Sequence, residues 1–379
     1  MSKKVLILTA ILLVFSACEL QAAAINSNWI GGSRGDWETA SNWNPAIVPE
    51  NGADTFYVTI NGGADGVWVG LWQENHTISQ LDCNGTVELA NSEWGLSTLT
   101  VLNGITNHGN FEIENLYIDA NIVNTNGATI IFDEEHAHED QFKGNLTNNV
   151  GGTIKVEDSL NFEHDGILDN AGTINLNVAG KLYGGAVSEL FNRGTLNLRG
   201  GICTSFRFLN DVNGIITGPG TIVVGDKVND KFENTGTIYP NGALACISVT
   251  DVNNQGNIEI TTASSVTFFG NLINKSGATI RIQGGNLAAP TIKQSTGAIF
   301  EGFGGIAGDI LIDPNGIIKL TGPTNIVGDV TVEHNAVLEI SDGQTLITGH
   351  TTNNGEILVV NGKVVFQGGY SGSGIVQKD

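Results

Sequence analysis

Two histidines alternate with carboxylates in Asp133-Glu134-Glu135-His136-Ala137-His138-Glu139-Asp140. At the chain's own repeat distance this segment stacks against Glu157-Asp158 and Glu163-His164-Asp165. Carboxylate oxygens suit calcium, and His136 with His138 would suit zinc. A carboxylate beside an imidazole can also act as general acid and base. The candidate cation ligands are Asp133, Glu134, His136, His138, Glu157 and Asp158. Neither the calcium-binding nonapeptide repeat nor the EF-hand spacing occurs. A solvated acidic loop explains the same residues without a ligand, and it is the preferred reading in a chain this acidic. No cofactor is required. The one ion these residues suggest is a divalent cation, calcium first.

Aromatic residues offer a second chemistry. All six tryptophans fall between Trp29 and Trp94. Flat rings such as Trp37 and Trp43 could stack on sugars. They could equally cover the end of a stack of strands, burying much area with few residues. The cap is preferred, because of the architecture that follows.

A repeat of about twenty residues runs from near residue 84 to near residue 357. Each copy is an Asn or other turn-former, a Gly and a short β-branched strand, as in Asn126-Gly127-Ala128-Thr129-Ile130 and Asn170-Ala171-Gly172-Thr173-Ile174. Apolar anchors from Val87 to Ile357, Ile299 among them, are spaced 24, 19, 24, 20, 22, 20, 22, 20, 22, 19, 19, 20 and 19 residues apart. Such a period means one supersecondary unit per repeat, stacked on its neighbours. Period-two alternation makes the unit one of strands. The spacing predicts an all-β, right-handed parallel β-helix, a β-solenoid of about 14 coils. At ~4.8 Å per coil the rod is roughly 65 Å long. Ile130, Ile154, Ile174, Leu196, Ile216, Ile238 and Ile258 should form one inward column. The Gly residues should supply positive φ at the turns. The repeated Asn should form a hydrogen-bonded ladder along the axis.

Residues 1–24 read as a signal peptide: Lys3 and Lys4, an apolar run from Val5 to Phe15, then small residues at Ala22-Ala23-Ala24. Ser16-Ala17-Cys18 is a weaker match to a lipoprotein box, with lipidation at Cys18 the minority reading. Residues 25–80 form the Trp-rich cap and opening strands, and 81–379 the repeat domain. No further segment could span a bilayer as a helix. The protein is expected to be secreted, periplasmic or held at the cell surface. A formal net charge of −22 excludes nucleic acid as a partner. Cys83, Cys203 and Cys246 read as buried small residues, with Cys203 and Cys246 a full coil too far apart for a disulfide. Sequons stand at Asn75, Asn84, Asn145 and Asn274.

The N-terminal pattern Trp29-Ile30-Gly31-Gly32, Gly35-Asp36-Trp37, Ser41-Asn42-Trp43-Asn44-Pro45, Val48-Pro49 and Asp54-Thr55 resembles secreted and surface β-helix proteins of Planctomycetes and related bacteria. Some of these are similar to autotransporter passengers and share the pectin-lyase-like fold. The resemblance covers residues 29–62 by motif and the rest by repeat style. It implies the architecture and carries over no catalytic residue. The fold itself hosts polysaccharide lyases and polygalacturonases. Those hydrolases carry Gly-His-Gly and Arg-Ile-Lys motifs, and here only Arg281-Ile282-Gln283 echoes one. Such lyases need a basic residue beside calcium carboxylates. Lys143 and Lys155 are the nearest to the acidic segment. The expectation is a non-enzymatic structural or adhesive rod, with a polysaccharide-binding or polysaccharide-degrading protein using the 133–165 flank as the alternative. Extracellular polysaccharide or a surface protein is the expected partner, and the C-terminal coil could pair end to end with a second copy.

Overall fold

A computed structural model describes residues 23–63, 65–72, 74–91, 96–133, 140–162, 166–184, 189–225, 231–248 and 250–378. The signal-peptide segment 1–22 with Cys18, and also Trp94, Glu134, His136, His138 and 163–165, lie outside these. The chain is a parallel β-solenoid of about 15 turns with about 20 residues per turn. A representative coil is Thr153–Val156, Ser159–Phe162 and Ile167–Asn170. Its three strands pair in parallel register with Thr173–Leu176, Lys181–Gly184 and Glu189–Asn192 of the next coil. Three sheets therefore run the length of the rod, one per strand of the coil. From residue 279 the corners tighten, and strands fuse into long bent ones such as Thr279–Gln294 and Ile299–Ile312.

The core follows from alternation. In-register stacking puts Ile130 on Ile154, then Ile174, Leu196, Ile216, Ile238 and Ile258. All seven are buried in the predicted column. One anchor is misassigned. Ile280 pairs with Phe300, and Ile299 pairs with Thr279 and is half exposed. A one-residue slip moves a side chain to the opposite face. The second sheet stacks Cys203, Ile222 and Cys246 in that order, so a rung separates the two thiols. Burial pushes the thiols of Cys203, up to about 12, and of Cys83 and Cys246 higher still.

The polar ladder is present and one-directional. Each Asn Nδ2 donates to the side-chain oxygen of the next coil through Asn107, Asn124, Asn148, Asn170, Asn192, Asn210, Asn234, Asn254, Asn274 and Gln294. The nine bonds measure 2.7–2.8 Å. Most of these amides also reach a backbone carbonyl at the start of a first-sheet strand, as Asn170 does to Thr195. In three coils the ladder residue is not the turn Asn beside the repeat Gly. Asn124, Asn148 and Asn210 take the place, while Asn126, Asn149 and Asn213 are exposed. The last residue of the third-sheet strand points inward, whatever the turn's length.

The repeat glycines divide between two reasons: Gly85, Gly127, Gly151, Gly277 and Gly297 take the expected positive φ, and others sit where coils approach too closely. Gly172, Gly194, Gly236 and Gly256 are not among the positive-φ residues. A Cβ on Gly194 would lie 2.0 Å from the carbonyl oxygen of Gly172, and one on Gly256 would lie 2.1 Å from that of Gly236. The corner backbones stack too closely for any side chain. In two later repeat turns the left-handed residue is the asparagine, Asn315 and Asn335, both at φ 61°.

The N-terminal segment is built into the rod. Ala24–Trp29 pairs in parallel with Thr55–Asn61, and Arg34–Asp36 with Val67–Gly70. On its outer side Asn28-Trp29 meets Trp43-Asn44 antiparallel, which closes the first edge. At the other end Ile375 and Val376 are exposed, although Val376 continues the inward column above Ile357.

Asn192 accepts from Asn170 and donates to Asn210 inside a dry corner. Asn192→Ala should leave Asn210 Oδ1 without its donor, take one of two acceptors from Asn170 and lower the unfolding free energy by about 3 kcal/mol. The outward Asn175→Ala should change it by less than about 0.5 kcal/mol. Urea titration of the two variants checks this, and equal effects would remove the ladder's structural role.

Candidate functional site

Trp37 and Trp43 are fully buried, so they cannot serve as a sugar platform. Trp37 Nε1 donates to the Pro49 carbonyl at 3.2 Å, and Trp43 Nε1 to the Trp37 carbonyl at 2.7 Å. Trp29 packs edge-on against Trp43, and Trp43 against Trp37, with ring centroids 5.0 and 4.8 Å apart. The three rings plug the first coil. Indoles satisfy their N–H inside a plug and gain from edge-to-face contact.

Two other tryptophans are only half buried. Trp68 and Trp72 lie 6.2 Å apart, centroid to centroid, in an edge arrangement on the outer surface. The Arg34 guanidinium sits 4.2 Å from the Trp68 ring centroid. Gly70 makes room, since a Cβ there would lie 2.5 Å from the Trp68 ring. Sequence reasoning grouped all the tryptophans as one cluster. Alternation separates them: Trp68 stands between inward Val67 and Val69.

The acidic segment is brought together in part. Asp133 ends the strand Thr129–Asp133, and Glu157-Asp158 follow the strand stacked upon it. The Glu157 N–H bonds the Phe132 carbonyl, and its Oε2 accepts from Asn177 Nδ2 at 2.8 Å. Asp140 is buried and accepts from the Leu116 N–H at 3.0 Å. Asp133, Glu157 and Asp158 therefore share one corner. Glu134, His136 and His138 lie outside the described residues. Glu163, His164 and Asp165 do too, and they follow Ser159–Phe162, one strand beyond Glu157-Asp158.

A different titratable group converges in the cap, and the sequence reading missed it. His76 is only 4 % exposed. Its Nε2 lies 3.0 Å from Glu38 Oε1, and its Nδ1 lies 3.0 Å from Glu50 Oε2. Glu38 also accepts from the Trp72 N–H, and Glu50 from the Thr77 N–H. The Trp37 ring lies over the imidazole at 5.7 Å. Burial alone would lower the His76 pKa, but hydrogen bonds to Glu38 and Glu50 outweigh it and raise it above 6.5. Burial likewise pushes Glu38 up, and the hydrogen bonds from His76 and Trp72 bring it below 4.5. The result is a carboxylate–imidazolium–carboxylate clasp joining residues 38 and 50 to the first full coil. The signal in the sequence is a histidine at an inward phase, two residues before buried Ile78.

Elsewhere, charges pair across coils on the outside. Glu259, Arg281, Glu301, Lys319 and Glu339 alternate in sign on successive rungs of the first sheet. Arg281 contacts both glutamates, and Lys319 bonds Glu339 at 3.1 Å. Arg281 is therefore a ladder residue. Arg193 pairs with Asp169, and Lys143 with Asp119. Asn274, one of the sequons, is fully buried in the amide ladder, which excludes a glycan there.

No protein-family model and no curated protein matches the chain. Among solved structures, the chain is similar to a TibC-catalysed, hyper-glycosylated TibA fragment. The identity is 12%, with 93% of this chain and 98% of the other covered and a TM-score of 0.28. Among the described residues no helix is long and apolar enough to cross a membrane.

Trp37→Ala should cost about 3–5 kcal/mol, because it empties the plug. Trp68→Ala should cost far less, and paired denaturation curves separate the two.

The clasp makes the cap's stability depend on pH. A raised His76 pKa contributes stability that is full below about 6.5 and is lost as pH rises through the folded value. A lowered Glu38 pKa contributes stability present above 4.5 and lost as pH falls through its folded value. The facing groups are Glu38, Glu50 and Glu74. Hydrogen exchange in residues 29–55 should quicken on both sides of that window, and His76→Gln should flatten the alkaline side. A pH-independent cap would contradict the clasp.

Proposed function

We propose that the protein is a secreted or cell-surface structural rod, adhesive through its outer faces, and that it carries no catalytic site. The observation that carries this reading is the unbroken in-register stack. Each of the three sheets stacks its own inward apolar column, one amide ladder runs along a corner, and the outward residues repeat at the spacing of the rungs. Repeats that contact only their neighbours make a long, stiff element. Its outer side is a set of columns suited to multivalent contact with an extended partner. Lys143, Arg193, Arg281 and Lys319 pair with carboxylates between rungs, and an excess of carboxylate leaves the rod anionic. Secretion rests on the leader-like segment at residues 3–24.

A second reading, polysaccharide binding, is favoured by one observation. Trp68 and Trp72 offer adjacent, half-exposed rings with a guanidinium beside them. Aromatic surface with a few placed polar groups suits a sugar chain.

Retention on a panel of insoluble polysaccharides, with product release followed in the same tubes, tests both readings. The rod reading expects no product from any glycan. Release of reducing ends or unsaturated uronates by the purified chain would overturn it. If the aromatic pair binds glycan, a Trp68→Ala/Trp72→Ala variant should lose retention at least about tenfold while melting near the parent.

A further inference from the structure

We propose that the His76 clasp is also a divalent-cation site, with His76 Nε2, Glu38 and Glu74 as ligands and Glu50 as the carboxylate that orients the imidazole. Ligand atoms of Glu38, Glu74 and His76 lie within 4.8 Å of one another. Three features set this group apart from an acidic patch. The imidazole is almost wholly buried, so its position is fixed. Its Nδ1 is held by Glu50 at 3.0 Å, and Glu50 is in turn held by the Thr77 N–H. An outer carboxylate on one ring nitrogen is the arrangement that presents the other nitrogen to a metal. Third, Glu38 Oε2 is buried and has no hydrogen-bond partner, although Oε1 is engaged by His76 and by the Trp72 N–H. An orphaned carboxylate oxygen beside a fixed imidazole nitrogen is a costly arrangement that a cation would relieve.

The donor set chooses the ion. One nitrogen and two carboxylates suit zinc or a neighbouring first-row divalent ion better than calcium, which takes six to eight oxygens. Glu74 is exposed and stands one residue before the His76 strand, Asn75–Ile78. The ion would replace the proton that His76 shares with Glu38: the Nε2–H bond breaks, the Nε2–metal bond forms, and the proton leaves to solvent. Residues 38 and 74 would then be tied through the metal, fastening the tryptophan plug to the first full coil. This site lies apart from the acidic segment at 133–158 and goes beyond the scaffold reading.

Zinc titration calorimetry on the full chain at neutral pH, in two buffers of different ionisation enthalpy, tests the proposal. One tight site should appear, with close to one proton released per ion, about the stoichiometry that metal–proton exchange demands. Glu74→Gln leaves the Glu38–His76–Glu50 contacts in place, so its melting without metal should match the parent. It should bind zinc at least about tenfold more weakly. Glu50→Gln should weaken zinc by a similar factor while keeping all three ligands. A His136→Ala/His138→Ala variant should keep the site. Equal zinc affinity in the parent and Glu74→Gln would overturn the assignment. So would loss of binding in the 136/138 variant, or an equal response to calcium.

Discussion

The corner where the third sheet turns into the first is the constraint on which the rest of the rod depends. Coils can stack at strand spacing there only if two demands are met together. The backbone needs positions without a side chain, because the carbonyl of one glycine sits within about 2 Å of the place a Cβ would occupy on the next. The inward residue before the turn must satisfy corner carbonyls that no strand partner reaches. An amide does both jobs of donor and acceptor, and it repeats on each rung from 107 to 294. A buried polar network is stabilising when every member is satisfied and costly when one is missing. The ladder therefore fixes register as well as stability. A slipped coil would set an amide against an apolar rung.

The same column shows where the constraint relaxes. Below Asn107 it holds Cys83 and Ile60, and above Gln294 it holds Ile312 and Val332. Gln294 ends the run by giving its amide to the carbonyls of Ala298 and Ile317. Beyond it this corner keeps its turns, between Ile312 and Ile317 and between Val332 and Val337, and the strands fuse at the coil's other corners instead. At the N-terminal end the tryptophan plug replaces a neighbouring coil, and its antiparallel strand covers the edge.

Period and phase carried most of this fold. A spacing near twenty with alternating β-branched residues leaves few architectures open, and the inward column from Ile130 to Ile258 follows directly. The slip at Ile299 came from counting on from the glycine. Phe300 is two residues after Ala298 and Ile280 two after Ala278, so alternation was the better guide there. The ladder was legible as chemistry, misplaced in three coils because turns of different length separate the inward Asn from the Gly, and not continued by the exposed Asn315, Asn335 and Asn354. The turn role of a glycine such as Gly127 was legible, and the stacking role of Gly194 and Gly256 was not. A short Cβ-to-carbonyl distance between coils leaves no trace in one coil's own sequence.

The candidate site was less legible still, for a related reason. Glu38, Glu50, Glu74 and His76 come from segments on either side of the first parallel rungs, and only the return of the chain after one coil brings them together. A local scan finds charge density, and that density peaks in the run from Asp133 to Asp140. Burial is what turns charge into chemistry, since it raises the cost of an unpaired group and forces partners on it. His76 occupies a position where alternation calls for an apolar residue, as Ile78 shows two places on. A polar residue at such a phase must be satisfied by something. Asking that question of each inward position finds the histidine in the cap.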